Sequence, residues 1–161
     1  CYSGYEMNGT ICTPLPGYNM TSSDITFTFD IQITGNLNET NTYDKYLNNT
    51  NQTLYLYFKK KMGKYFISIE NITLSKGSLI AAFVLLMQDS TDAKTSLVNY
   101  LIDALNEQFV IGGINATLQS LAVGDYIVSS SGDFCGMYES LLGTCPSGYK
   151  CTVTGGRPLC G

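Results

Sequence analysis

The side chains best suited to covalent chemistry in this chain are six cysteines, Cys1, Cys12, Cys135, Cys145, Cys151 and Cys160. As thiolates they could hold a metal, and as cystines they could staple the chain. Beside them stand seven Asn-x-Ser/Thr triplets, at Asn8, Asn19, Asn38, Asn48, Asn51, Asn71 and Asn115, the acceptor pattern for N-linked glycans. Seven triplets among twelve asparagines is roughly three times the chance expectation for a chain of this Ser and Thr content. A secreted, glycosylated, extracellular protein explains the excess. In that oxidising compartment the cysteines are expected as three disulfides, with structural zinc as the competing use.

Other chemistry is narrowed by what is missing. The chain has no histidine, which removes the commonest general base near neutral pH and most zinc and triad sites. No recognisable motif sets a pair of acids in place, so neither a hydrolytic enzyme nor a cofactor is expected. A net charge of −4 with nine Lys and Arg lacks the electrostatic footprint of a nucleic-acid binder. The one basic cluster, Lys59, Lys60, Lys61 and Lys64, reads as the wet face of a helix. The longest apolar run, Leu79 to Met87, is nine residues, where a membrane span needs roughly 20. No span is expected. Without an initiating Met or a signal-peptide pattern, the chain is expected to be mature or an excised piece.

The cysteines sit only at the ends, and the 122 residues between Cys12 and Cys135 contain none. The middle must therefore cohere through a hydrophobic core, for which 44% hydrophobic residues suffice. The short ends cannot build one and need staples.

From Ile25 the middle alternates strictly, with Ile25, Phe27, Phe29, Ile31 and Ile33 on one parity and Thr26, Thr28, Asp30, Gln32 and Thr34 on the other, which predicts a half-buried strand. Tyr46, Leu47, Leu54, Phe58 and Met62 then fall near helical spacing up to Gly63. Tyr65 to Leu74 and Ser78 to Met87 are β-rich runs around Ser75-Lys76-Gly77, a hairpin pattern. Within the first run Ile67 and Ile69 share a parity that Ile72 and Leu74 break, so one extra residue near Glu70 or Asn71, a bulge, is predicted. Asp92 to Phe109 carries Leu97, Leu101, Ala104 and Leu105 at helical spacing, with Gly112-Gly113 beyond, and Ala116 to Val123 predicts a last strand. The order is βαββαβ, which favours an α+β sandwich of two helices on a four-stranded antiparallel sheet.

With this order and with Lys76-Gly77-Ser78-Leu79-Ile80, residues 24–127 resemble the SEA domain of mucin-type extracellular glycoproteins, whose hairpin reads Gly-Ser-Val-Val-Val. The resemblance implies a ferredoxin-like βαββαβ sandwich. In self-cleaving members of that family a strained hairpin lets the serine hydroxyl attack the preceding carbonyl, and the ester formed is hydrolysed. Strain then stands in for the missing base. The resemblance makes Gly77 and Ser78 the candidate autocleavage pair, although Leu79, Ile80 and Ala81 replace the three valines and an uncleaved hairpin is the plainer expectation. The outward parity of this strand, Ile80, Ala82, Val84 and Leu86, is apolar where a wet sheet face is usually polar. Either neighbouring side chains shield the strip or another module contacts it.

The C-terminal spacing Cys135-x9-Cys145-x5-Cys151-x8-Cys160 resembles the first four cysteines of an epidermal growth factor-like (EGF-like) module. A second copy placed after Gly161 would supply the missing fifth and sixth as Cys1 and Cys12, with Cys1-Tyr2-Ser3-Gly4-Tyr5 resembling the Cys-x-x-Gly-aromatic signature of that family. The resemblance implies bridges Cys135 to Cys151, Cys145 to Cys160 and Cys1 to Cys12. Two unrelated disulfide-bearing ends are the alternative. Calcium is not expected, since Ser131-Gly132-Asp133-Phe134 offers a single carboxylate and Thr152-Val153-Thr154 offers none.

The expected organisation is therefore 1–12 as the end of one EGF-like module, 13–23 as linker, 24–127 as the SEA-like domain, 128–134 as linker and 135–161 as the start of the next module, a small disulfide-rich β unit completed between adjacent repeats. The expected function is that of a structural repeat unit in an N-glycosylated tandem array, a stalk or fibril whose partners are adjacent copies joined head to tail. The alternative is a membrane-tethered, mucin-like receptor ectodomain with autoproteolysis at Gly77-Ser78.

Overall fold

The computed structural model describes residues 1, 5–14, 19–75, 79–130 and 132–161. A short hairpin, β1 (Tyr5–Asn8) and β2 (Ile11–Pro14), precedes the long strand β3 (Met20–Asp30). Helix α1 (Thr40–Met62) and a 3-10 turn (Gly63–Tyr65) lead into β4 (Phe66–Ser75) and β5 (Leu79–Gln88). Helix α2 (Thr91–Ala104) is followed by β6 (Phe109–Ile111), β7 (Ile114–Val123) and β8 (Tyr126–Val128). The chain ends in α3 (Phe134–Leu142) and a second hairpin, β9 (Cys151–Thr154) with β10 (Arg157–Cys160). The protein is thus α+β around one curled antiparallel sheet.

The sheet order is β4-β5-β3-β7-β6, with β8 also on β7. All neighbours run antiparallel. The alternation seen in the sequence becomes the two faces of this sheet, because successive side chains of a strand point to opposite sides. Ile25, Phe27 and Phe29 of β3 and Leu79, Ala81, Phe83, Leu85 and Met87 of β5 are buried. They form one cluster with Tyr46, Leu54, Phe58 and Met62 of α1 and Leu97 and Leu101 of α2.

Phe27 is at the centre, with the rings of Phe29, Phe58, Phe83 and Phe109 all between 5.4 and 6.4 Å from it. Hydrogen bonds fix how the helices lie on the sheet. The Leu74 N–H donates to the Tyr43 hydroxyl (3.1 Å), and the Thr53 hydroxyl donates to the Val110 carbonyl (2.9 Å). At the start of α2 the Ser90 hydroxyl caps by accepting from the Ala93 N–H (3.1 Å).

The register of β4 against β5 shifts between Glu70 and Thr73, and Asn71 adopts φ 55°, which makes the extra residue a bulge and restores Leu74 to the buried face. A second shift between Phe66 and Ser68 lets the consecutive residues Phe66 and Ile67 both become buried.

Several boundaries differ from the sequence expectations. The first strand ends at Asp30, and Ile31 and Ile33 pack against the core from beyond it. The second helix stops at Ala104 rather than reaching Phe109, because Gly112 and Gly113, at φ 59° and 79°, make a two-residue turn that folds Phe109–Ile111 back onto β7. The sheet therefore has six strands instead of four. The segment 13–23 expected as linker contains the first four residues of β3. The segment 128–134 begins on β8 and ends on α3, with Val128 buried in the main core. The C-terminal piece is not wholly β, since α3 occupies the span between Cys135 and Cys145, started by the Asp133 carboxylate accepting from the Cys135 N–H at 3.0 Å.

Substitutions at two positions probe these features. Phe27→Ala should cost about 3–5 kcal/mol, lowering the urea midpoint without changing the slope of the transition. At the left-handed bulge position, Asn71→Gly should keep wild-type stability in unglycosylated protein. Asn71→Val should lose about 1–2 kcal/mol, because a β-branched residue resists that conformation.

Candidate functional site

Three disulfides close the two ends, Cys1 with Cys12, Cys135 with Cys151 and Cys145 with Cys160. This is the pairing that the EGF-like resemblance implies, and it uses all six cysteines. Each end carries a two-stranded hairpin, the first closed by one bridge and the second, together with α3, by two. Cys12 lies opposite Met7 across β1 and β2, and Cys151 lies opposite Cys160 across β9 and β10. The first bridge spans 11 residues of chain, and the other two span 16 and 15.

The C-terminal unit is seated on the sheet domain. Met137 of α3 is fully buried in the main core, beside Val128 of β8. Gly136 permits this approach, since a Cβ there would stand 2.2 Å from the ring of Tyr126. The Tyr126 hydroxyl meanwhile donates to the Asp133 carbonyl (2.9 Å). On β10, the Arg157 guanidinium donates to the Asn99 carbonyl (2.6 Å) and pairs with the Asp103 carboxylate, both on α2.

Directly behind this contact the Tyr57 hydroxyl donates to the Tyr100 carbonyl (2.6 Å). Burial, reinforced by the carboxylates of Asp103 and Glu107, pushes the Tyr57 pKa above the ordinary tyrosine value of 10. Nothing in the local sequence marks Arg157 as a docking residue, because its two partners lie 58 and 54 residues earlier.

The other singled-out residues are distributed around the sheet. All seven sequon asparagines are exposed, on the first hairpin (Asn8), before β3 (Asn19), before α1 (Asn38), on α1 (Asn48 and Asn51), at the β4 bulge (Asn71) and on β7 (Asn115). The candidate autocleavage pair, Gly77 and Ser78, lies outside the described residues. The strands that flank it are antiparallel, with Ser75 opposite Ile80.

The apolar strip Ile80, Ala82, Val84 and Leu86 runs down the outward face of β5, and each of its residues is half-buried. Polar neighbours border it on both sides. Across β3 they are Thr28, Thr26, Asp24 and Ser22, and across β4 they are Ser75, Thr73, Glu70 and Ser68. The structure thus brings together the cysteines of each end and the strip with its border, but assembles no cluster of His, Cys, Asp or Glu fit for a metal among the described residues. No helix of the described residues is long and apolar enough to cross a membrane.

Three measurements follow from this geometry. Replacing Cys145 and Cys160 together by Ser should lower stability by about 2–4 kcal/mol in chemical denaturation. Arg157→Ala should cost about 1 kcal/mol and speed amide exchange in β9 and β10, leaving β3 and β5 protected. Tyr57 is held neutral in the fold, so its contribution is whole below the unfolded tyrosine pKa of about 10 and is lost as pH rises through the higher folded value. Stability should therefore fall above pH ~10, and Tyr57→Phe should flatten that fall.

Comparison with known family models, curated proteins and solved structures finds no match for this chain, so neither the sheet domain nor the stapled ends receive a family from a relative.

Proposed function

We propose that this chain is the structural repeat unit of an extracellular, N-glycosylated tandem array, a SEA-like domain followed by an EGF-like module that is completed by the next copy. The observation that carries the reading is the disulfide pairing. Cys135 with Cys151 and Cys145 with Cys160 stand as first with third and second with fourth, and Cys1 with Cys12 closes independently as fifth with sixth. Joined head to tail, Cys160-Gly161-Cys1 gives the one-residue gap of the family. Every bridge then stays within its own copy, so repeats can be added without rearranging any disulfide.

The element order β3-α1-β4-β5-α2-β7 and the strand order β4-β5-β3-β7 support the SEA-like, ferredoxin-like reading of the middle. Three disulfides suit a secreted protein, and exposure of all seven acceptor asparagines suits glycosylation. One acceptor carries a constraint on timing. Thr50, the third residue of the Asn48 triplet, is fully buried on α1 with its hydroxyl unpartnered, so an enzyme that reads this triplet must meet it before α1 packs. A docked C-terminal unit, fastened through Met137 and Arg157, favours a stiff spacer over a flexible string.

The test is the native polypeptide. Its sequence should continue from Gly161 directly into a cysteine, and a chain of several repeats should lengthen by about 50 to 70 Å per copy in electron micrographs. Any other residue after Gly161 overturns the head-to-tail join. On a denaturing gel the unit should run as one intact band, whereas two fragments divided at Gly77-Ser78 would move the reading to the autoproteolytic receptor ectodomain.

A further inference from the structure

Two patches on opposite sides of this molecule match each other in charge and in apolar content. On the open sheet face, Val84 stands in register between Asp24 on one side and Glu70 on the other. Strands are spaced about 4.8 Å, so the two carboxylate-bearing positions are about 10 Å apart with the valine between them. A groove of about 390 Å³ continues this face past Ile80, Thr26, Ala122 and Ile127 to a third carboxylate, Asp125. Ile127 is 72% exposed there. The face thus offers an apolar floor with acidic borders.

The outer surface of α1 offers the reverse. Leu56 is 56% exposed, and Lys59 and Lys60, three and four residues on, share its side of the helix. Lys64 extends the basic patch past the helix end. Neither ion pair among the described residues, Lys94 with Asp89 or Arg157 with Asp103, uses these lysines.

The sequons leave the α1 patch and the Asp24–Val84 side of the sheet patch accessible. The α1 acceptors keep clear of Leu56, Asn48 by about 12 Å along the axis and Asn51 by about 140° around it. On the sheet, Asn115 stands at the start of β7, and Asn71 directly follows Glu70 on the edge strand β4, so a glycan there borders the outer rim of the acidic patch. The basic-apolar patch on α1 and the Asp24–Val84 side of the acidic-apolar patch lie away from the acceptors and complement each other in charge.

We propose that the α1 surface around Leu56, Lys59 and Lys60 of one copy docks on the open sheet face of a second copy, with Leu56 against Val84 and the lysines reaching Asp24 and Glu70. The two surfaces differ, so the contact is heterologous, and repeated it generates an open filament or a bundle of arrays rather than a closed dimer. Lysine suits the role because its long stem lies along apolar surface while the ammonium reaches the carboxylates. The contact goes beyond the tandem reading, since it joins separate chains through surfaces remote from the cysteines.

Charge reversal on single, uncoupled chains tests it by sedimentation velocity. The wild type should self-associate at low salt and dissociate at high salt. The sheet variant Asp24→Lys with Glu70→Lys should weaken association on the order of a hundredfold, as should the helix variant Lys59→Glu with Lys60→Glu. Mixing the two variants should restore it, because each then meets an opposite charge. If a reversal unfolds the chain, the neutral pairs Asp24→Asn with Glu70→Gln and Lys59→Gln with Lys60→Gln replace it and should give a smaller loss. The proposal is overturned if the wild type stays monomeric at low salt, if either variant associates like the wild type, or if the folded mixture stays apart. None of these results touches the head-to-tail join, which is decided by the residue after Gly161.

Discussion

Burial of the inward side chains of β3 and β5 against α1 and α2 is the interaction on which the rest of the molecule depends. Phe27 is central to it, fully enclosed on the middle strand with four other aromatic rings around it. No disulfide reaches this region, so its stability comes from apolar area removed from water and from close ring packing. The edges of the sheet are positioned relative to that centre. The β4 bulge keeps Leu74 inward, and the Gly112-Gly113 turn lays Phe109 beside Phe29. Where the core ends, the chain resorts to covalent closure.

The stapled ends show that change of strategy. Residues 135–161 bury few side chains of their own, with Met137 and Pro158 the ones that are fully or almost fully enclosed, and two disulfides replace the missing core. The unit borrows stability from the sheet domain, inserting Met137 into its core and gripping α2 through Arg157. Asp103, which receives that arginine, also helps to hold Tyr57 neutral, so docking and the Tyr57–Tyr100 hydrogen bond share one electrostatic neighbourhood.

Open and covered faces of the sheet divide the labour. The covered face makes the fold, while the open face carries an apolar strip between rows of Ser, Thr, Asp and Glu. That strip is half-buried, yet it leaves apolar surface worth covering.

Alternation from Ile25, the helical spacing through Met62 and the parity break at Glu70 were legible in the sequence because each records a local periodicity of the backbone. By itself the sequence determined an α+β core without cysteines, two stapled ends, and the absence of histidine chemistry. It could not determine the end of α2, since Phe109 is apolar and suits either a helix or a strand. The helix between Cys135 and Cys145 was not legible, because its formation depended on burying Met137 in a core built mostly from residues before 129. Four cysteines admit three pairings, and the one formed depends on how α3 and the β9–β10 hairpin sit together. The Arg157–Asp103 contact and the Asp24–Val84–Glu70 row join residues 54, 60 and 14 positions apart. Those were decided only by the tertiary structure, because strand register and helix docking, rather than nearness along the chain, bring such groups within reach.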